Sequence, residues 1–213
     1  MRIVYILCAM SNTQSSSRRD RKKVELQMQI MRQAVRLFRE HGFDNTTMEQ
    51  IAAEADVSKR TLYSYFPVKE AIISFYWKSN VDDNTNRLPQ LLLFYHDTRL
   101  RLKTVFLSAA NAFRVDPEFA RIEFGFQFQL LGKDPLNQMY RSGFDNFLAA
   151  VLEAGQQNGD LRKDIPAHEM ASQLVWAFTA ACLMWFTAPG SFSLEDRLEM
   201  TISCFLDGAK ARP

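Results

Sequence analysis

The sequence predicts an all-α protein with a small N-terminal domain and a larger C-terminal one. Only eight Gly and seven Pro are spread along 213 residues, which favours long helices over many short strands. Apolar residues recur every three or four positions in residues 24–42, as on one face of a helix. An apolar content of 47% and a charged content of 23% are typical of globular chains and exclude a disordered or collagen-like one.

The distribution of charge and the use of cysteine indicate the kind of partner and the cellular compartment. Residues 1–70 hold 12 Lys and Arg against 8 Asp and Glu, so the basic end is the N-terminal one. That balance fits nucleic acid, although a solvated helical face gives the same arithmetic. The three cysteines form no C-x-x-C motif, so we expect a reduced, intracellular protein with no metal and no cofactor. The longest apolar run, near residues 176–189, is shorter than the ~18 residues of a membrane span, so no membrane partner is expected.

Residues 1–23 are predicted to be a flexible, basic N-terminal arm. A basic start and a short apolar stretch resemble a signal peptide weakly, but a Ser-rich run leads directly into Arg18 and the cations that follow it. Met10 is an alternative start to Met1. The arm is either disordered or lies along DNA phosphates or in a minor groove.

Residues 24–67 are predicted to form three helices. The first ends at Gly42, a C-terminal cap residue, and Thr46 three positions before Glu49 indicates a capping box that opens a helix through about residue 55. Residues 56–58 turn the chain, and Ser58 caps a third helix that Pro67 ends. Two short helices joined by a three-residue turn make a helix-turn-helix, and the cations and phenols of the third helix favour that interpretation over an ordinary three-helix corner.

This segment resembles the TetR family of transcriptional regulators. The matching stretches are Gly42-Phe43-Asp44-Asn45-Thr46-Thr47-Met48-Glu49-Gln50-Ile51-Ala52 and Val57-Ser58-Lys59-Arg60-Thr61-Leu62-Tyr63-Ser64-Tyr65-Phe66-Pro67-Val68-Lys69-Glu70. Two positions depart from the family, which usually has Gly where Asp56 stands and often Gly where Arg60 stands. Asp tolerates a left-handed backbone, so the turn should be kept. Arg60 is then an additional side chain for reading bases.

The resemblance implies a set of DNA-binding residues. The second helix of a helix-turn-helix enters the major groove, where arginine pairs with guanine, so Arg60 is the main candidate for sequence readout. Lys59 reads a base or contacts phosphate. The remaining candidates match positions that mostly contact phosphates in the family, and they are Thr47, Ser58, Thr61, Tyr63, Tyr65 and Lys69.

Residues 68–213 are predicted to form a helical ligand-binding and dimerisation domain. Turn residues separate six helices, at residues 68–86, 88–115, 117–131, 135–158, 166–187 and 194–211. A further break near His96 and Asp97 is left open. On the third of these helices Glu123 shares a face with aromatic residues, where a carboxylate is costly unless it pairs with Arg or Lys, reaches solvent or awaits a cationic ligand.

The resemblance also implies a function. Regulators of this family bind a small molecule between these helices, dimerise through the last two, and release a palindromic operator in the bacterial cytoplasm. The expected ligand is small and hydrophobic, neutral or cationic. The candidate ligand-binding residues are Phe106, Phe113, Phe119, Glu123, Phe126, Met139, Phe144 and Trp176. The apolar residues that could pair two copies are Met170, Leu174, Ala177, Ala181, Met184, Leu198, Ile202 and Phe205.

Two alternatives compete with a ligand-released dimeric repressor. The first is a DNA-binding protein of the same fold whose C-terminal domain contacts another protein, which an exposed apolar patch would favour over a closed cavity. The second, more remote, is a helical enzyme. The chain lacks G-x-S-x-G, G-x-G-x-x-G, a P-loop and H-E-x-x-H, and its three histidines lie in unrelated segments. We therefore expect no enzymatic activity and no catalytic residues.

Overall fold

A computed structural model describes residues 18–130, 143–188 and 190–209 and confirms the all-α fold class. The helices described fall into two compact units along the chain, Met1–Val68 and Lys69–Pro213. Residues 1–17, which make up most of the predicted arm, and Met139 lie outside the described residues.

The first unit contains three helices, α1 (Arg18–His41), α2 (Met48–Glu54) and α3 (Lys59–Tyr65). Their apolar faces meet in one core whose fully buried members include Ile30, Ile51 and Leu62. The rings of Phe38 and Phe43 pack at 5.0 Å between centroids. Arg36 of α1 pairs with Glu54 of α2, and Gln29 donates to the Ala55 carbonyl at 2.9 Å. These contacts fix α2, and through it α3, against α1.

Two local predictions for the first unit were wrong. Helix α1 begins at Arg18 and not at residue 24, because the Arg- and Lys-rich run has good helix propensity and carries Asp20 in its first turn. The capping box of α2 is formed by Thr47 and Gln50, not by Thr46 and Glu49. Thr46 is buried, and its hydroxyl donates to the Gly42 carbonyl at 2.8 Å. A hydroxyl used inside the loop cannot cap the helix.

The turn between α2 and α3 has the predicted geometry. Asp56 adopts a φ of +52°, the left-handed conformation for which the family uses glycine, so the tolerance expected of Asp is confirmed. Ser58 caps α3 by accepting a hydrogen bond from the Thr61 backbone N–H at 3.0 Å. Gly42, just after α1, has a φ of +86°, as expected of a residue that ends a helix.

The second unit contains the remaining described helices. They are α4 (Lys69–Asn86), α5 (Leu88–Phe94), α6 (Thr98–Val115), α7 (Pro117–Gln129), α8 (Phe144–Asn158), α9 (Ala167–Thr187) and α10 (Leu194–Ala209). Helix α9 packs between α8 and α10, α10 also packs on α6, and α4 packs on α7. The core between them is dominated by phenylalanine, leucine and alanine side chains.

The break that the sequence left open near residue 96 is present. Helix α5 ends at Phe94, and Asp97 caps α6 by accepting from the Leu100 N–H at 2.9 Å. The connection is held from both sides. Asp160, after α8, accepts hydrogen bonds from the Thr98 N–H and hydroxyl, and Arg101 donates to the Tyr95 carbonyl at 2.7 Å.

The predicted dimer surface is largely wrong. The side chains of Met170, Leu174, Ala181, Leu198 and Ile202 are at most 4% exposed and form the core of their own chain. Periodicity finds the apolar stripe of a helix but does not say whether that stripe faces the same chain or a second one. Other residues of α9 and α10 are exposed, and the apolar ones among them are Trp176, Ala177, Ala180, Met184, Met200 and Cys204.

Helix α9 bears on the prediction that the chain has no membrane span. By length and composition, it is the one described helix apolar enough to cross a membrane, with a mean hydropathy of 1.3 and a third of its apolar window buried. The prediction rested on the length of an unbroken apolar run. Ser172 and Gln173 interrupt such a run, but they add no charge and leave the mean hydropathy of the helix high. A core helix passes the same criterion, so it is weak evidence for a membrane.

A glycine in α8 yields a test of this packing. A Cβ at Gly155 would lie 2.4 Å from the Thr98 hydroxyl oxygen and 3.0 Å from Leu161 Cδ1. Thr98 cannot turn away without losing its hydrogen bond to Asp160. We expect Gly155→Ala to lower the free energy of unfolding by about 1–3 kcal/mol, measured by urea titration.

The matched control for this test is Gly125→Ala in α7. A Cβ at Gly125 meets nothing within 4 Å, and the residue is exposed in a helix. Alanine there should raise stability by about 0.5–1 kcal/mol, because it restricts the unfolded chain. Equal effects of the two substitutions would contradict the close approach at Gly155.

Candidate nucleic-acid interface and ligand cavity

Helix α3 turns its polar side outward because its apolar side is held in the core. Leu62 and Phe66 are at most 1% exposed. At 100° per residue the opposite face spans an arc of about 140°. That face carries four exposed side chains, namely Lys59, Arg60, Tyr63 and Ser64. A convex helix with two cations, a phenol and a hydroxyl has the chemistry that suits a DNA major groove.

The two cations of α3 differ in their surroundings. Lys59 Nζ lies 3.2 Å from a carboxylate oxygen of Glu49 on α2. The backbone N–H of Glu49 and, after it, Lys59 lower the pKa of this carboxyl group. Arg60 has no acidic partner in the part of the chain that the structure describes. Arg60 therefore presents its whole guanidinium to solvent, whereas Lys59 shares its charge with Glu49.

Four of the other predicted DNA-binding residues lie at helix starts, and Tyr63 and Tyr65 lie in the second half of α3. Thr47 is exposed and caps α2. The hydroxyls of Ser58 and Thr61 are hydrogen-bonded to each other at 2.8 Å beside the first turn of α3. Tyr63 is 46% exposed and Tyr65 is half-buried, so the first ring points outward more than the second. Lys69, the first residue of α4, belongs to the second unit.

The second unit contains a partly open cavity of about 790 Å³. Helices α4 to α9 line it. Its apolar wall combines aliphatic and aromatic side chains, and the aromatic ones are Trp77, Phe94, Phe113, Phe124, Phe128, Phe144, Phe147, Trp176 and Phe178. Three of these residues, Phe94, Phe128 and Trp176, are 75%, 42% and 53% exposed. The aromatic wall therefore continues from the interior to the protein surface, where a ligand can enter.

The predicted ligand-binding residues divide into two groups. Phe113, Glu123, Phe144 and Trp176 line the cavity. Phe106, Phe119 and Phe126 do not; they lie in the core behind it, at most 7% exposed. Phe106 packs on Phe178 at 4.8 Å, and the Phe119 carbonyl accepts from Trp77 Nε1 at 3.3 Å. These three support the cavity wall instead of forming it.

Glu123 of α7 has a polar but uncharged environment. One carboxylate oxygen accepts from the Ser74 hydroxyl of α4 at 2.5 Å, and the other accepts from the Gln127 amide at 2.9 Å. Gln127 also donates to the Ser74 hydroxyl at 3.0 Å. Of the sequence-derived options for this carboxylate, an Arg or Lys partner is wrong. Burial raises the pKa of Glu123 to about 7, although both hydrogen bonds lower it.

Sequence reasoning missed several cavity residues. Trp77, Asn80 and Val81 of α4 line the cavity, and no pattern in the sequence assigned α4 to it. Phe124 and Phe128 of α7 also line it, on the face opposite to the predicted ligand-binding residues Phe119 and Phe126. A helix apolar on both sides signals burial on both, and α7 has core on one side and cavity on the other. Among the described residues, no group of three or more His, Cys, Asp or Glu could hold a metal ion.

Comparisons with known proteins agree with this geometry. The model of the family described as bacterial regulatory proteins, tetR family, matches residues 30–74. The chain is 24% identical over 177 residues to the HTH-type transcriptional repressor KstR2 of Rhodococcus jostii, covering 82% of this chain and 86% of that protein.

Solved structures extend the likeness to the whole fold. FadR of Thermus thermophilus, a TetR family transcriptional repressor in complex with lauroyl-CoA, covers 88% of this chain and 96% of its own, at 25% identity and a TM-score of 0.74. FadR of Bacillus subtilis in complex with stearoyl-CoA covers 85% and 98%, at 19% identity and a TM-score of 0.63. The second likeness is one of fold alone.

The raised pKa of Glu123 predicts how stability depends on pH. The folded protein holds this proton up to about pH 7, whereas the unfolded chain releases it near the ordinary value of 4.5. The folded state therefore binds more protons in between, and stability falls as the pH rises through this window. The contribution amounts to about 3 kcal/mol, all of it lost above pH 7.

This prediction is checked by urea unfolding of wild type and Glu123→Gln between pH 4.5 and pH 8. The difference in the free energy of unfolding between the two proteins should change between about pH 4.5 and pH 7 and be constant above pH 7, because the amide does not titrate. Glu118→Gln, an exposed change on the same helix, serves as the control. If Glu123→Gln shifts stability by a constant amount at every pH, the carboxyl group is not protonated in the fold.

Proposed function

Since the chain belongs to the TetR family of bacterial transcriptional regulators and is a DNA-binding regulator, we propose that it is a dimeric repressor of a palindromic operator. A small hydrophobic ligand that enters the cavity of the second unit releases the DNA. The protein works in the bacterial cytoplasm, and its role is regulation and not enzymatic catalysis. The observation that carries this proposal is the aromatic cavity of about 790 Å³, which lies within the size range of small-molecule sites.

On DNA, the exposed face of α3 lies in the major groove. Arg60 makes a bidentate pair with guanine O6 and N7, because its guanidinium has no partner to leave. Lys59 exchanges its contact with Glu49 for a phosphate or a base. Thr47, Ser58, Thr61, Tyr63, Tyr65 and Lys69 contact the backbone and set the register.

Dimerisation uses the exposed side of the last two helices. Ala177, Ala180 and Met184 lie at intervals of three and four on α9, so they form one stripe. The two alanines allow a second helix to approach closely. Met200 and Cys204 extend the apolar surface onto α10. A two-fold dimer formed here presents two recognition helices, which must lie about 34–36 Å apart to enter successive major grooves. Ligand binding that changes this distance weakens DNA binding.

The ligand has an apolar part long enough to follow the aromatic wall. Two structurally similar regulators are described in complex with lauroyl-CoA and stearoyl-CoA, which have such a part. A protein partner is the competing proposal, and the observation in its favour is the exposure of Leu93 and Phe94 on α5, at 71% and 75%. Phe94 also lines the cavity, so we prefer a role for it at the entrance.

A selection from random duplexes at fixed salt tests the proposal first. We expect an inverted repeat, bound by two chains per duplex as measured by analytical ultracentrifugation. The selected duplex is then titrated with hydrophobic compounds of different head groups. Release by one of them supports the repressor with a ligand. A palindrome that no compound releases, but that a cellular extract protein does, would support the protein-partner alternative.

Arg60→Ala tests base readout. We expect it to weaken binding to the selected site by about 1–3 kcal/mol and to relax the preference at one base pair of each half-site, because a bidentate contact is lost. The matched control is Arg121→Ala, which removes the same charge from an exposed position of α7. A loss of affinity that is equal for all duplexes would assign Arg60 to phosphate.

Lys69→Ala tests the backbone contacts. It should lower the affinity for every duplex alike and reduce the slope of log K against log salt by about one unit, since one fewer counterion is released. Tyr63→Phe should weaken binding to all duplexes without changing the slope of log K against log salt, because the hydroxyl is uncharged. Lys163→Ala, an exposed lysine of the second unit, is the control. An unchanged slope for Lys69→Ala removes this residue from the interface.

A further inference from the structure

The cavity wall holds a part-buried carboxylate among aromatic rings. Glu123 lines the cavity, with Trp77, Phe113 and Phe124 among the other lining residues. Ionising this carboxyl group away from water is costly, because both of its hydrogen-bond donors, Ser74 and Gln127, are neutral. The fold alone does not explain a glutamate at this position.

The hydrogen bonds of Glu123 leave part of the group available. Each oxygen accepts one bond from the protein, from Ser74 or from Gln127, and a carboxylate has about four acceptor positions. Both donors are neutral. Its two bonds therefore orient the carboxylate without neutralising it, and its remaining acceptor positions can serve a ligand.

Acidic side chains outnumber basic ones among the described residues of the cavity wall. The other lining residues with charged side chains are Asp83 of α4, Asp145 of α8 and Arg87, between α4 and α5. Helix α6, which also packs on α7, contributes no charged residue to the wall. Among the described lining residues the acidic side chains outnumber the basic one, which disfavours a ligand with several negative charges, such as an acyl-CoA.

We propose that the ligand of this regulator is a cationic amphiphile, an amine or a quaternary ammonium with an apolar tail, whose charged head binds at Glu123 among the aromatic rings of the cavity. The proposal rests on the ligand-released repressor proposed above and specifies its ligand. The rings contribute through their negative faces, which attract a cation and, unlike water, need no reorganisation. An amine also donates hydrogen bonds to the free acceptor positions of the carboxylate.

Proton linkage follows from this arrangement. A cation binds the ionised carboxylate, so the proton held by Glu123 must leave when the cation enters. Because the pKa of the empty site is about 7, the affinity for a cation should fall about tenfold per pH unit below that value and be constant above it. Asp83 and Asp145 face the same cavity, so the dependence is assigned to Glu123 by substitution.

The test uses four ligands with the same dodecyl chain and different head groups. These are dodecyltrimethylammonium, dodecanol, dodecanoate and lauroyl-CoA, each below the concentration at which micelles form. Binding to the full chain is measured by the fluorescence of Trp77 and Trp176, which line the cavity. Wild type is compared with Glu123→Gln and with Glu118→Gln, whose exposed residue lies outside the cavity wall.

We expect the ammonium compound to bind wild type at least about tenfold more tightly than dodecanol, and the two anions to bind most weakly. Glu123→Gln should abolish that advantage and its pH dependence, while Glu118→Gln retains both. Binding of dodecanol to Glu123→Gln shows that its cavity is folded. If dodecanol binds wild type as tightly as the ammonium compound does, or if Glu123→Gln retains the preference, the proposal is overturned.

Release of the selected duplex separates this proposal from the broader one. If lauroyl-CoA releases DNA and the ammonium compound does not, the repressor with a hydrophobic ligand stands and the cationic head group is wrong. If none of the four binds or releases DNA, the ligand role of the cavity fails together with this inference. Because cations bind DNA directly, release by the ammonium compound counts only where Glu123→Gln is released less.

Discussion

Every described helix except α5 buries apolar side chains, and that constraint decides which side chains are left for function. In α3 it acts through Leu62 and Phe66, whose burial turns Lys59, Arg60 and Tyr63 to solvent. The candidate DNA-binding face is thus a consequence of the core of the first unit. Its orientation is reinforced by the Ser58 cap and the left-handed Asp56, which set where α3 begins. A change at Leu62 would therefore disturb readout without touching DNA.

The same constraint explains how the second unit can have both a core and a cavity. Helix α7 is apolar on two sides, with Phe119 and Phe126 buried in the core and Phe124 and Phe128 on the cavity wall. Glu123 lies on this helix, and Ser74 of α4 and Gln127 hold its carboxyl group. Desolvation opposes the charge of that group and so raises its pKa.

Local chemistry was sufficient to predict the first unit from the sequence. The Ser58 cap, the turn at Asp56 and the end of α1 at Gly42 all depend on residues close together in the chain. Where a residue had two possible partners, the prediction was wrong: Thr46 bonds within its loop, and Thr47 caps α2 with Gln50. Burial decides which of two adjacent threonines caps the helix, and burial cannot be read from the spacing of residues in the sequence.

The second unit was less predictable because its assignments depend on which helices become neighbours. Periodicity identified Met170, Leu174 and Leu198 as apolar surface, but only packing shows that they face their own chain. Likewise Phe106 and Phe113, both on α6, cannot be told apart by periodicity, although one supports the cavity and the other lines it.

Helix α4 carries residues of both the candidate DNA interface and the cavity. It begins at Lys69, directly after the first unit, and eight residues later places Trp77 on the cavity wall, about 12 Å along its axis. Between them, Ser74 donates its hydrogen bond to Glu123. In the ligand-released repressor proposed above, a ligand that changes the charge or position of this carboxylate would therefore act first on α4. Lys69 and Trp77 share that helix, so α4 is the element through which such a change would reach the start of the second unit.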